Sequence, residues 1–134
     1  MQRKYLMIMF LLIASCKKDA SGLKSALQGT WELVSTDGAW SGHQDYEPGN
    51  GNTISFNGTE YARVIQTTDS TYHYNGTFKI YKGKPCDFAE EQMLMAFDSL
   101  TDNPSSFSLT NERLTIGTTE CIADGGNSTY RKIK

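Results

Sequence analysis

Thr53-Ile54-Ser55-Phe56 and Thr59-Glu60-Tyr61-Ala62-Arg63-Val64-Ile65-Gln66, separated by Asn57-Gly58, decide the fold. Both flanks are rich in β-branched and aromatic residues and alternate apolar with polar at the period of a half-buried strand. Asn-Gly supplies the two positive φ values of a type I′ turn, whose twist suits a two-residue hairpin. That register sets Phe56 opposite Thr59 and Ile54 opposite Tyr61, so Ile54, Phe56, Tyr61 and Ile65 share one face, which becomes a core face.

The same pattern recurs on either side. Trp31 to Thr36 reads as a first strand, with Trp31, Leu33 and Ser35 on one face, and a long glycine-rich connection from Asp37 to Asn52 follows. A second Asn-Gly, Asn75-Gly76, divides Thr71–Tyr74 from Thr77–Tyr81, although the pairing it implies segregates less well and suggests a longer loop or a bulge. Phe107 to Thr110 and Arg113 to Ile116 segregate cleanly around Asn111-Glu112, with Phe107 facing Ile116 and Leu109 facing Leu114. The chain ends on a turn at 124–127 and a strand from Thr129 to Ile133. Between residues 87 and 100 the residues fit both a strand, by alternation of Met93, Met95 and Phe97, and a helix; the alternation favours a strand over Gln92 to Asp98. The expected fold class is all-β, a small up-and-down antiparallel barrel of about eight strands, because closure removes exposed edges. A two-sheet sandwich is the alternative.

Upstream of the strands, Arg3 and Lys4 precede an apolar run, Tyr5 to Ile13, too short to cross a bilayer as a helix, which takes about 20 residues. Ile13-Ala14-Ser15-Cys16 then resembles the lipobox of bacterial lipoproteins: an aliphatic residue, two small ones and a cysteine. The resemblance implies that 1–15 is a signal peptide, that the Cys16 thiol receives a diacylglycerol, and that cleavage and acylation of the new amine follow. Residues 16–27 are then the lipidated cysteine with a tether or short frayed helix, and 28–134 the folded domain. Lys17-Lys18-Asp19 resembles the short charged tags of lipoproteins exposed on the Gram-negative outer membrane, so the expected location is that membrane, on its surface or its periplasmic side.

The whole chain carries a net charge of −2. Without the two basic residues of the leader, 11 Lys and Arg stand against 15 Asp and Glu, a net −4. No basic cluster exists to neutralise phosphates, which speaks against a nucleic-acid partner. Cys86 and Cys121 remain once Cys16 is lipidated; an exported pair favours a disulfide over free thiols or a metal pair, and neither His43 nor His73 has metal-type spacing. No serine sits in a nucleophile context, and Glu90-Glu91 point to opposite faces if extended, so no catalytic site, cofactor or metal is expected.

Gly29-Thr30-Trp31, leading into the first strand, resembles the opening of the lipocalins and of lipocalin-like domains in small bacterial lipoproteins. In that family the glycine turns the chain tightly into the barrel, the Trp plugs the closed end, and an arginine near the last strand lies over the Trp. Arg131 is the residue that matches here, as a cation-π partner of Trp31. The resemblance implies a barrel holding a small apolar or amphipathic molecule without a chemical step. The connection 37–52 is then a lid carrying Trp40, His43 and Tyr46, or a loop whose Trp40 folds back on the barrel. Tyr72, Tyr74, Tyr81 and Met95 are the cavity-lining candidates. The alternative is a filled barrel that binds an envelope protein or glycan through its loops.

Cys16→Ala is expected to release the domain from membranes in soluble form on cell fractionation. A wild-type protein that is already soluble refutes the anchor.

Overall fold

The computed structural model describes residues 19–134, so the leader and Cys16 lie outside the described residues. These form a helix α1 (Ala20–Leu27) and nine strands: β1 (Gly29–Gly38), β2 (Gly42–Asp45), β3 (Thr53–Asn57), β4 (Glu60–Gln66), β5 (Thr71–Gly83), β6 (Gln92–Phe97), β7 (Ser105–Thr110), β8 (Arg113–Gly117) and β9 (Gly126–Lys132). Each strand pairs antiparallel with its neighbour, and β1 pairs with both β3 and β9. Eight strands therefore close into an up-and-down barrel, with β2 a short flap outside the ring. The sandwich alternative is excluded by that closure.

The segment expected as a tether or short helix is a helix joined to the barrel. Asp19 caps it by accepting from the Gly22 N–H, and Leu27 at its far end is fully buried. Leu27 also offers its carbonyl to the Trp31 indole N–H at 2.8 Å, which satisfies the one polar atom of a fully buried ring. Around Trp31 lie Leu33, Ile54, Phe56, Phe78, Met95, Leu114 and Tyr130, and Phe56 meets Phe78 edge-on at 4.8 Å between centroids. This end of the barrel is packed solid.

Gly29, the first residue of β1, takes φ 118°, and a Cβ there would collide with the Lys134 carbonyl. The cation over Trp31 is Lys132, with Nζ 5.3 Å from the ring, and not Arg131. Alternation explains the correction: the β1–β9 register sets Lys132 opposite Trp31 on the inner face and Arg131 opposite Glu32 on the outer face. Arg131 and Glu32 form an ion pair there. Glu32 is buried although it points outward, because residues 46–52 pass over it and the Gly49 N–H donates to its second oxygen at 2.9 Å.

Val34 is an extra residue in β1, between the Leu33↔Tyr130 and Ser35↔Thr129 pairs. The bulge reverses the alternation, so Thr36 replaces Ser35 on the inner face. Beyond it β1 leaves β3 and pairs with β2. The connection expected to be structureless is thus largely a hairpin.

Both Asn-Gly expectations need revision. In the first hairpin Asn57 pairs with Glu60 and Phe56 with Tyr61, so Gly58-Thr59 form the turn and the register moves by two residues. Of those two only Gly58 has positive φ, 63°, the glycine-first pattern of a type II′ turn. A shift of two preserves the faces. Asn75-Gly76 makes no turn; β5 runs through it, pairing first with β4 and then with β6. The β7–β8 pairing is as read from the sequence, Phe107 with Ile116 and Leu109 with Leu114, and the ambiguous stretch contains strand β6.

Cys86 and Cys121 are joined, which rules out the thiol and metal-pair alternatives, and they tie the β5–β6 loop to the β8–β9 loop across 35 positions. Closing such a loop in the unfolded chain is worth roughly 3 to 4 kcal/mol in the chain-entropy view. Cys86→Ser is therefore expected to lower the melting temperature under non-reducing conditions only. An equal loss with reductant present points to packing as the cause.

Candidate functional site

The half of the barrel away from Trp31 is not filled. A cavity of about 600 Å³ opens there, next to the loops that follow β6 and β8. Ile54, Ile65, Phe97, Ile116 and Tyr130 supply its apolar walls, and Leu100, Asn103 and Pro104 of the β6–β7 loop stand at its rim. A smaller hollow of about 230 Å³ adjoins it where β1 diverges from β3; Tyr46, Leu33 and Thr36 line it, and it shares Arg63, Ile65, Ser128 and Tyr130 with the first.

Tyr61, Arg63 and Ile65 alternate onto the inner face of β4, and each lines the larger cavity. Tyr61 leans edge-on against Phe97, 4.8 Å between centroids, and its hydroxyl donates to Asp98 Oδ2 at 2.8 Å. Asp98 Oδ1 accepts the Thr77 N–H at 3.0 Å, and the Asp98 N–H donates to the Thr77 carbonyl at 2.7 Å. Burial, reinforced by the Asp98 hydrogen bond, pushes the Tyr61 hydroxyl above its ordinary pKa, while nearby Arg63 opposes the shift. Tyr61 is therefore the donor and the Asp98 carboxylate the acceptor.

Asp98 and Ser99 hold φ values of 52° and 64°, and the Leu100 N–H returns to the Phe97 carbonyl at 3.0 Å. Two successive non-glycine residues in the left-handed region cost of order 1 to 3 kcal/mol each, and the hydrogen bonds of Asp98 hold them there. Gly76 completes the arrangement: a Cβ at that position would stand 1.8 Å from Asp98 Oδ1. Asn75-Gly76 is thus a notch for Asp98 and not a corner of the chain.

Arg63 sits between Ile54 on β3 and Tyr74 on β5, both of which also line the cavity. Among the described residues it has no salt bridge and no side-chain hydrogen bond.

Of the residues expected to line a cavity, Tyr74 does so, half exposed, and Tyr46 lines the smaller hollow. Tyr72 lies on the same face of β5 one step nearer the end of the strand, also half exposed, and does not line the larger cavity. Met95 is a correction, being fully buried in the packed end. Tyr81 is another: it is on the outer face of β5, beside Lys79, because alternation puts Phe78 and Ile80 inward. Trp40 neither covers the cavity nor folds back. The β1–β2 hairpin carries it beyond the ring, where it is 87% exposed.

His43 is on that hairpin too. It pairs across the strands with Asp37, whose Oδ1 lies 2.6 Å from Nδ1, while Asp45 Oδ1 is 3.0 Å from Nε2. Neither ring nitrogen faces the cavity. The sequence reading missed Arg63, Asp98 and Glu32. For Arg63 a signal existed, a cation between Tyr61 and Ile65 on an otherwise apolar face; for Asp98 none did, since its role depends on a residue 21 positions away.

Comparison with known proteins yields no family model, curated protein or solved structure that matches the chain.

The hydrogen bond to Asp37 first, and then that to Asp45, raises the His43 pKa above 6.5. The folded hairpin thus binds a proton more tightly than the unfolded chain. The stability this lends is complete below pH about 6.5 and is lost as pH rises through the elevated folded value. An NMR titration is expected to show His43 titrating above 6.5, with Asp37→Asn moving it back; a midpoint at or below 6.5 in the wild type refutes the contact.

Proposed function

We propose that the chain is a lipid-anchored envelope lipoprotein, attached through Cys16 to the Gram-negative outer membrane, whose lipocalin-like barrel holds a small apolar or amphipathic molecule without a chemical step. The observation that carries this reading is the cavity of about 600 Å³, within the 300 to 1,000 Å³ range of small-molecule sites. A barrel of eight strands has room for its own side chains or for one small ligand. Here Trp31, Phe56, Phe78 and Met95 fill one half, and the aromatic and aliphatic walls of the other half are left facing a space.

Support for the anchor comes from the order of basic residues, apolar run, small residues and Cys16, followed three positions later by the cap of a helix that ends in the closed half. An anchor there would tether the barrel by the end opposite its mouth. The hydrocarbon of several acyl chains, at about 0.8 kcal/mol per buried CH₂, holds such a protein on a membrane without help from its surface.

The second reading is an interaction module that binds an envelope protein or glycan. Trp40 favours it: a large indole displayed in water at the tip of a two-stranded extension is an anchor of the kind interfaces bury.

Native mass spectrometry on the extracted full chain separates the two. The carrier reading expects a co-purifying small molecule in the mass range such a cavity accommodates. A chain free of small molecules but bound to a second protein overturns it in favour of the module.

A further inference from the structure

We infer that the cavity takes an amphipathic anion, an apolar body bearing one oxyanion head such as a carboxylate or sulfonate, and that the Arg63 guanidinium holds the head. The inference rests on the carrier reading and specifies its ligand.

The charge balance inside the cavity points this way. Arg63 and Asp98 are the two lining residues whose side chains are charged at neutral pH. Asp98 is not free to serve as counterion, because one carboxylate oxygen accepts from the Tyr61 hydroxyl and the other from the Thr77 N–H. Arg63 has neither an ion pair nor a side-chain hydrogen bond among the described residues. The formal charges of the lining cancel, but its cation has no partner in contact, and it stands on the inner face of the barrel flanked across the strands by Ile54 and Tyr74.

An arginine on an outer wall would meet water alone and bind little. Arg63 is itself exposed, but it stands at the open edge of the interior and adjoins both the larger cavity and the smaller hollow. An oxyanion placed there lies against apolar walls that displace water, where a charge-assisted hydrogen bond is stronger than at a free surface. The planar guanidinium offers paired N–H groups that match the two oxygens of such a head. The tail then runs along Ile65, Phe97 and Ile116, which carry no charge to oppose it.

Two dyes with the same ring system test this: 1-anilinonaphthalene-8-sulfonate, which bears an anionic head, and neutral N-phenyl-1-naphthylamine, which does not. The full chain is reconstituted in nanodiscs of phosphatidylcholine, and wild type, Arg63→Gln and Arg63→Lys are titrated alike, so that the lipid background cancels between variants. Circular dichroism confirms that each variant is folded. The anionic dye is expected to bind the wild type more tightly than the neutral one, Arg63→Gln to weaken the anionic dye by about tenfold or more with the neutral dye unchanged, and Arg63→Lys to fall between. Equal affinity of the wild type for both dyes overturns the inference without reference to any variant. So does an Arg63→Gln titration that matches the wild type for the anionic dye, and in both cases binding of the neutral dye leaves the carrier reading standing. Saturable binding of neither dye removes both.

Discussion

The structure depends on one constraint: β1 must pair with β9 as well as β3. Without that seam the sheet has two open edges, rows of unpaired backbone groups that would pair with other chains. With it, every strand of the ring has two neighbours and each inward side chain is committed to a shared interior. The seam is keyed by two contacts on opposite faces of the same register, Lys132 against the Trp31 ring inside and Arg131 against Glu32 outside. A slip of one residue would exchange the two faces and leave Glu32 in the apolar interior. That outcome costs more than either contact gains, so the pair acts as a register mark more than as a source of stability.

The interior is divided by side-chain size. Trp31, Phe56 and Phe78 meet inside the closed end of the barrel, and the burial of Trp31 alone, at roughly 150 to 250 Å², is worth several kcal/mol. Toward the other end the inward positions Arg63, Ile65 and Ser128 border the cavity. The bulge at Val34 contributes to this opening: β1 turns away from β3 there, and residues 46–52 cross the gap on the outer side. Closed floor and open mouth therefore follow from the same strand, one half of which is shared with β3 and the other with β2.

What the sequence reveals is governed by distance along the chain. Alternation within a strand and pairing across a short turn are local, so the barrel class, the β7–β8 register and the faces of the β3–β4 hairpin are legible. Asn57-Gly58-Thr59 is less so: a turn beginning at either of two positions yields the same faces, and only the register distinguishes them. Asn75-Gly76 carries a strong local signal whose cause is remote, since its glycine is needed to admit Asp98. The choice between Arg131 and Lys132 for the Trp31 ring depends on a pairing between the two ends of the barrel, which no local pattern encodes. Cys86 and Cys121 were legible as a pair from their number and from the export that the leader implies, not from their placement.

The seam also sets the kinetics of assembly. The hairpins from β3 to β9 join near neighbours and close on the microsecond scale, whereas Glu32 and Arg131 are 99 positions apart. Loop entropy is spent before that contact returns anything, so the last event in forming the ring is its slowest, and the folding of the whole falls among topologies of high contact order. Until it happens the two terminal strands are unpaired on one side each, and a chain in that condition is exposed to pairing with copies of itself.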